Sequence, residues 1–367
     1  MENSIKMMKQ IESTHRGLGI SVLLGEIAFA GEISTIFLGE KGTGKGTTIS
    51  AVKTFGLEED HDMIIDNLTL TEMGNNNQLQ HCYDTKMVWR IKEWSTMNRW
   101  NRELFLTIGA KIITDREYYH FIGMSKGSVP TVIDIKNTDL VCMVGIQPLK
   151  MSRMMRENEN WESLASDRFI KWVMINALRK ESLDFIPDFE LPEILDDKLI
   201  PEFKTDLKLT RNMLHNQISP ERIPIFAKKL LTGYARLENN PVMTLRDELD
   251  FVKLFKPFIE IYPKFVYTRD ISEESELAVG SLRLFTQIVK HDGITIDELQ
   301  ETFSVYNVKK RPELQNRLLE NAKEMISRHS QLLLEKGLVT KVENSPARFY
   351  MARPFEEWWE WYRGITT

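Results

Sequence analysis

Short apolar runs and amphipathic stretches alternate through the first half of the chain. Ile33–Leu38 (ISTIFL) is apolar and β-branched, which predicts a strand, and Thr47–Phe55 (TTISAVKTF) predicts the first turns of a helix. Lys86–Thr96 (KMVWRIKEWST) predicts a second strand, followed by a segment with Trp100, Leu104 and Ile108 at helical spacing. Asp139–Pro148 (DLVCMVGIQP) predicts a third strand, after which a polar helical stretch runs to Trp161–Phe169 and into the apolar Phe169–Leu178. Strands alternating with helices predict an α/β fold, a mainly parallel sheet covered on both faces. Lys111–Ile135 reads as a hairpin inserted between the second and third of these units.

The second half reads differently. Residues 184–203 are rich in proline and acids and predict a linker. Residues 204–268 predict a helical lid that includes Ile223–Leu237 and Thr244–Tyr262, the latter capped by Thr244. Helices are then expected around Glu276–Gly293, at Thr295–Phe303 with Thr295 as cap, and from Pro312 to Lys336. Two short strands follow, Val339–Glu343 and Arg348–Tyr350, about a turn at Asn344–Pro346. The expected organisation is therefore a core over 1–183, the linker over 184–203, the lid over 204–268, a further domain over 269–353 and an aromatic tail over 354–367.

Composition narrows the class. A chain of 367 residues exceeds one ordinary core, and 42% apolar with 28% charged residues is a soluble mixture. No apolar run approaches the roughly 20 residues that span a bilayer, and the amino terminus lacks the pattern of a signal peptide. Two isolated cysteines, Cys82 and Cys142, fit a reducing cytoplasmic compartment. A net charge of −5 argues against an all-over basic nucleic-acid binder and leaves room for a local basic surface. His15, His120, His291 and His329 show no metal-ligand spacing.

The stretch GEKGTGKGTT, Gly39 to Thr48, fits the G-x-x-x-x-G-K phosphate loop with its hydroxyl displaced by one. Strand, glycine loop and helix stand in the required order. Gly39, Gly42, Gly44 and Gly46 leave backbone N–H groups free to converge on phosphate oxygens, and Lys45 would reach the outer phosphates of ATP. Gly46 stands where such loops usually put the magnesium-holding hydroxyl, so Thr47 or Thr48 must supply it.

With this loop the order of parts resembles the AAA+ ATPases, in particular the branch of minichromosome-maintenance helicases and MoxR-type ATPases. The likeness covers roughly residues 1 to 260 and rests on short motifs. It implies a P-loop parallel-sheet ATPase core with a helical lid, ATP with Mg²⁺ as cofactors, and a homo-oligomeric ring. Gln147-Pro148 stands where the family has Asn-Pro, so Gln147 would sense the γ-phosphate. Asp167-Arg168-Phe169 matches the setting of the family's arginine finger, and Arg168 would act on a neighbouring subunit's phosphate. Arg246, at the start of a lid helix, matches a lid arginine that touches the γ-phosphate in cis, or is a solvated arginine among acids. The hairpin resembles the helicase branch's pre-sensor insertion, or is a plain surface hairpin. The likeness breaks at Lys92-Glu93, where the family has Asp-Glu: Glu93 would still polarise water, but Lys92 puts a positive charge where an aspartate holds magnesium. Asp66 and Asp134 also end apolar runs and stand as rivals for that acid.

Three helices followed by a hairpin resemble a winged helix, a module that binds DNA or protein. Lys309, Lys310, Arg311, Arg317, Lys341 and Arg348 are its candidate phosphate contacts. Trp358, Trp359, Trp361 and Tyr362 would staple the tail to a core or stack on bases. The reading expected from sequence is a DNA-binding AAA+ ATPase, helicase- or initiator-like, acting in DNA replication or a related transaction. Its rivals are a nucleotide-switched DNA-binding regulator with little hydrolysis, a MoxR-like remodeller of protein partners, and a small-molecule phosphotransferase.

Overall fold

The protein is described from a computed structural model. The structure describes residues 1–39, 42–57, 61–65, 81–97, 99–122, 131–148, 150–151, 166–174, 186–192, 196, 198–215, 217–261, 284–285, 287–289, 291, 293–300, 315–343 and 346–367. Two compact units divide the chain: residues 1–174 with 178–262, and residues 175–177 with 263–367.

In the larger unit two helices that sequence reasoning passed over, α1 (Glu2–Thr14) and α2 (Gly19–Ala30), precede β1 (Ser34–Leu38). Helix α2 is apolar nearly all round and every one of its residues is buried, the condition of a helix inside a core. Two of its polar side chains find partners: Ser21 Oγ accepts from Trp172 Nε1 at 3.2 Å, and Glu26 Oε1 accepts from the Lys53 N–H at 2.6 Å. After β1 come α3 (Lys45–Ala51), β2 (Asp62–Ile64), β3 (His81–Tyr83), β4 (Lys86–Ile91), α4 (Arg99–Asp115), β5 (Tyr118–Ile122), β6 (Thr131–Lys136), β7 (Asp139–Ile146) and β8 (Phe169–Val173).

The central sheet has the order β2-β4-β7-β1-β8 and its neighbours pair in parallel. β1, β7 and β8 are continuous buried runs, as a sheet covered on both faces requires. The edge strand β2 overlaps the apolar run ending at Asp66, which sequence reasoning kept only as a rival, and β4 stops at Ile91, five residues before the predicted strand end at Thr96. The hairpin is β5 and β6, antiparallel, joined by β3 in a small sheet of order β3-β6-β5. Since β3 runs into β4 and β6 into β7, this sheet extends from the amino-terminal ends of the central strands.

The stretch expected to form a lid holds helices α5 (Lys208–Leu214), α6 (Ile223–Glu238) and α7 (Leu245–Glu260), with a two-stranded pair formed by β9 (Glu202–Phe203) and β10 (Val242–Met243). Up to residue 262 these belong to the same compact unit as the sheet. Thr244 caps α7 in a reciprocal box with Asp247. Helices α2 and α6 approach backbone to backbone at two glycines. A Cβ on Gly233 would run into the Ile27 carbonyl oxygen, and one on Gly31 into the Lys229 carbonyl oxygen. Arg236 locks the crossing, donating to the carbonyls of Ala30 and, at 3.1 Å, Leu199.

The smaller unit contains β11 (Ile294–Thr295), α8 (Gln315–Glu335), β12 (Val339–Val342), β13 (Arg348–Met351) and α9 (Arg353–Thr366), its strands antiparallel in the order β11-β13-β12. Trp358, Trp359 and Tyr362 of α9 are buried, with Trp358 and Tyr362 stacked at 5.1 Å, so the aromatic tail is packing. Among the described residues no helix is long and apolar enough to cross a membrane.

The glycine crossing gives a direct test. Gly233→Ala is expected to force α2 and α6 apart and to cost about 1–3 kcal/mol in urea denaturation. An unchanged midpoint would mean that the helices are not in backbone contact.

Candidate functional site

The loop after β1 is built from constraints that only glycine meets. A Cβ on Gly39 would lie 2.5 Å from Thr43 Oγ1 and 3.1 Å from Met174 Cβ, so Thr43 folds back onto the end of the strand. Gly42 and Gly44 adopt φ of +81° and +84°, the left-handed region that glycine enters without strain, and Gly44 caps α3. Lys45, the first residue of α3, is 5% exposed. Its Nζ donates to the Gly39 carbonyl at 2.8 Å and lies 3.8 Å from Glu93 Oε2. The ammonium thus bridges the two ends of the loop. Glu40 and Lys41 lie outside the described residues.

The sheet order decides what stands beside this loop. Adjacent strands β1 and β7 send the chain in opposite directions, one towards β2 and the other across to β8, and ligands of open α/β sheets bind at the carboxyl ends of such a pair. Gln147 follows β7 directly, with the Gly39 N–H donating to the neighbouring Ile146 carbonyl at 3.2 Å. One strand further on, β4 delivers Lys92 and Glu93. Gly145 permits this, since a Cβ there would strike the Lys92 carbonyl oxygen. Loop, Gln147, Lys92 and Glu93 therefore share one edge.

Arg90 fixes the helix behind the loop. Its guanidinium is buried and grips Asp62 of β2 with Nε at 2.6 Å and Nη2 at 2.7 Å, while donating to the carbonyls of Ile49 and, at 2.8 Å, Val52. Those carbonyls belong to the end of α3, where helix acceptors lack partners and where a cation meets the negative end of the dipole. Asp62 also accepts from Thr54 Oγ1 at 2.7 Å. One side chain thus joins β4, β2 and α3. Sequence reasoning missed both residues; an arginine inside the apolar run MVWRI was the available signal. Beneath the same turn Glu26 is fully buried, and desolvation pushes its carboxyl up to about 8 against the pull of the Lys53 N–H and Arg90. A cleft of about 380 Å³ opens beside the clamp, lined by Ser50, Thr54, Asp62, Ile64, Arg90 and Lys92.

Other expected site residues lie elsewhere. Arg168 precedes β8, where Phe169 pairs with Ser34, so it sits at the amino-terminal edge, roughly 16 Å of strand from the loop. Its Nε donates to Thr114 Oγ1 of α4, and burial together with the neighbouring Arg222 lowers its pKa. Asp167 is occupied by Ser219, at 2.6 Å to its N–H and 2.8 Å to its Oγ, and by Arg222. Arg246 is exposed in the first turn of α7, three turns from Phe255 and Phe258, which pack on Trp172. No contact among the described residues brings it to the loop. Asp134, a rival acid, lies on β6 and accepts from Tyr83 at 2.6 Å; Asp66 lies outside the described residues. In the smaller unit Lys341 is paired with Glu343 at 2.6 Å, and Arg348 donates to the Gly293 carbonyl at 2.7 Å and faces Glu298. Lys309, Lys310 and Arg311, and the side chain of Arg317, lie outside the described residues.

No protein-family model matches the chain, and no curated protein matches its sequence.

The magnesium seat implied by the resemblance finds no matching donors in its usual place. The hydroxyl position holds Gly46 and the carboxylate position holds Lys92, and a Cβ on Gly46 would lie 3.7 Å from Lys92 Cβ, so these two positions face each other. Thr48 Oγ1 is sealed from solvent with no hydrogen-bond partner, and Thr47 is half-buried. These residues do not fit a divalent cation held between positions 46 and 92.

Two predictions follow from the clamp and its neighbour. Arg90→Met should destabilise the larger unit by about 3–5 kcal/mol in urea denaturation, because it strands Asp62 and two helix carbonyls. Asp62→Asn should cost less, since Arg90 keeps its carbonyl acceptors; equal and small losses would remove the clamp from the account. For Glu26, the folded protein holds the proton more tightly than the unfolded chain, so the protonated carboxyl's contribution is fully present below its ordinary value of 4.5 and is lost as pH rises through about 8. Melting of wild type and Glu26→Gln across that range should show wild type losing ground steadily with pH. A constant difference would contradict the assignment.

Proposed function

We propose that this chain is a nucleotide-binding protein of the AAA+ type, in which the loop Gly39–Thr48 takes the phosphates of ATP and binding itself, more than hydrolysis, does the work. The observation that carries the reading is Lys45: a buried ammonium, held across the mouth of a glycine loop with two left-handed glycines, beside Glu93 and at the same sheet edge as Gln147. Lys45 would meet the outer phosphates, Gln147 would offer its amide to the γ-phosphate, and Glu93, released from Lys45, would orient water.

Slow turnover is favoured over a fast motor by the neighbour of Glu93. Lys92 beside Gly46 leaves no acid–hydroxyl pair for the metal that polarises a γ-phosphate in active P-loop ATPases. The smaller unit is proposed as the DNA contact, on its three-stranded sheet with α8 and on Lys309, Lys310 and Arg311; Lys341 and Arg348 are engaged with acids of their own unit. A MoxR-like protein partner is the alternative for that unit.

One observation favours the ring-motor reading as the second choice. Arg168 lies at the sheet edge opposite its own loop, so any phosphate it meets belongs to another subunit, as a trans finger in a homo-oligomer would require.

Titration calorimetry with ATP tests the reading. Wild type should bind, and Lys45→Ala should weaken binding by about a hundredfold, the loss of a charge-assisted contact to phosphate. Unchanged affinity would sink the phosphate-loop assignment. Hydrolysis per subunit that climbs steeply with protein concentration would promote the ring motor over the switch.

A further inference from the structure

We propose that Lys92 takes the place of the divalent cation, so that this site binds nucleoside triphosphate without magnesium. The inference rests on the phosphate-loop reading above and concerns what neutralises the phosphates once they are there.

The argument begins with the charges at this edge of the sheet. Arg90 is matched by Asp62 at 2.6 Å, and Lys45 by Glu93 at 3.8 Å. A further described carboxyl behind the loop, Glu26, is shut inside the core. Lys92, half-buried at the end of β4, has no hydrogen bond or ion pair to any described residue, and Asp62, which lines the same cleft, and Glu93, next in the chain, are already engaged. Among the described residues, Lys92 is thus a positive charge beside the loop without a partner, which is what an anion entering it would neutralise.

Position supplies the second observation. The Lys92 backbone is tucked against Gly145 of β7, so the start of its side chain is fixed, and that side chain starts against Gly46 in the first turn of α3. A serine or threonine at 46 would bring its Cβ into van der Waals contact with Lys92 Cβ and narrow the path of the lysine stem. Glycine leaves the path open. The two residues that depart from the ordinary loop therefore stand next to each other, and each departure makes sense of the other. A lysine at this point carries its ammonium on a flexible four-carbon stem with three donors, enough to bridge oxygens of adjacent phosphates. It also repels a divalent cation from the same place. An ammonium supplies one charge where magnesium supplies two and does not bind water as a Lewis acid, so the site holds the triphosphate and turns it over slowly.

Equilibrium binding of a fluorescent N-methylanthraniloyl-ATP to the full chain, in excess magnesium and in excess EDTA, tests this. Wild type should show affinities within about threefold of each other in the two buffers, and Lys92→Met should lose about tenfold in both. Lys92→Asp combined with Gly46→Ser should restore an ordinary seat, binding at least about tenfold more tightly with magnesium than with EDTA. Wild-type binding that falls about tenfold or more in EDTA overturns the inference, as does a Lys92→Met protein that binds like wild type. These results leave the phosphate loop standing. A folded wild type that binds in neither buffer overturns the loop reading, and this inference with it.

Discussion

The arrangement of the site depends on one buried guanidinium. Arg90 uses all three nitrogens of its planar fork: two bonds go to Asp62 on the edge strand and two to the carbonyls that end α3. A helix of seven residues behind a glycine loop has little intrinsic reason to keep its position, since so short a segment is marginal by itself. The clamp provides that reason. It holds the helix by its carboxyl end while Lys45 holds the loop by its amino end, and phosphate groups entering the loop would meet N–H groups that are already oriented. Preorganisation of this kind lowers the ordering cost of binding.

The same sheet separates two chemistries by its two edges. The carboxyl edge gathers the glycine loop, Gln147, Lys92 and Glu93. The amino edge carries Arg168, bonded to Thr114, and the small sheet with exposed Tyr83, Tyr119 and Phe121. Contact with another subunit at that second edge would release Arg168 from Thr114 without disturbing the clamp, which gives the proposed ring a physical route while leaving the glycine loop intact within one chain.

Much of this was legible in sequence, and the exceptions have physical causes. Glycine spacing with Lys45 pointed to the loop, and the apolar runs at 33–38 and 139–148 pointed to its strands, because buried parallel strands read as continuous apolar segments. Thr244 declared its helix by the capping pattern with Asp247. Helix α2 went unread because a helix buried on all sides has no polar face and so no period. The edge strand β2 is three residues long, and its pairing is set by Arg90 from a distant segment, a contact that no local pattern announces. Lys92 was visible only as an anomaly. Its meaning required the distance to Gly46, which brings together two departures 46 positions apart in the chain.

The central claim is that residues 42–48 receive the phosphates of ATP on a loop held from behind. Amide hydrogen exchange with and without ATP tests it most directly, because phosphate oxygens that accept the loop's N–H groups slow the exchange of those amides. The account predicts protection concentrated on Gly42–Thr48 and extending to Gln147 at the end of β7, with little change in the already protected strands. Protection confined to the smaller unit, or absent from the loop at ATP concentrations that saturate binding, would contradict it.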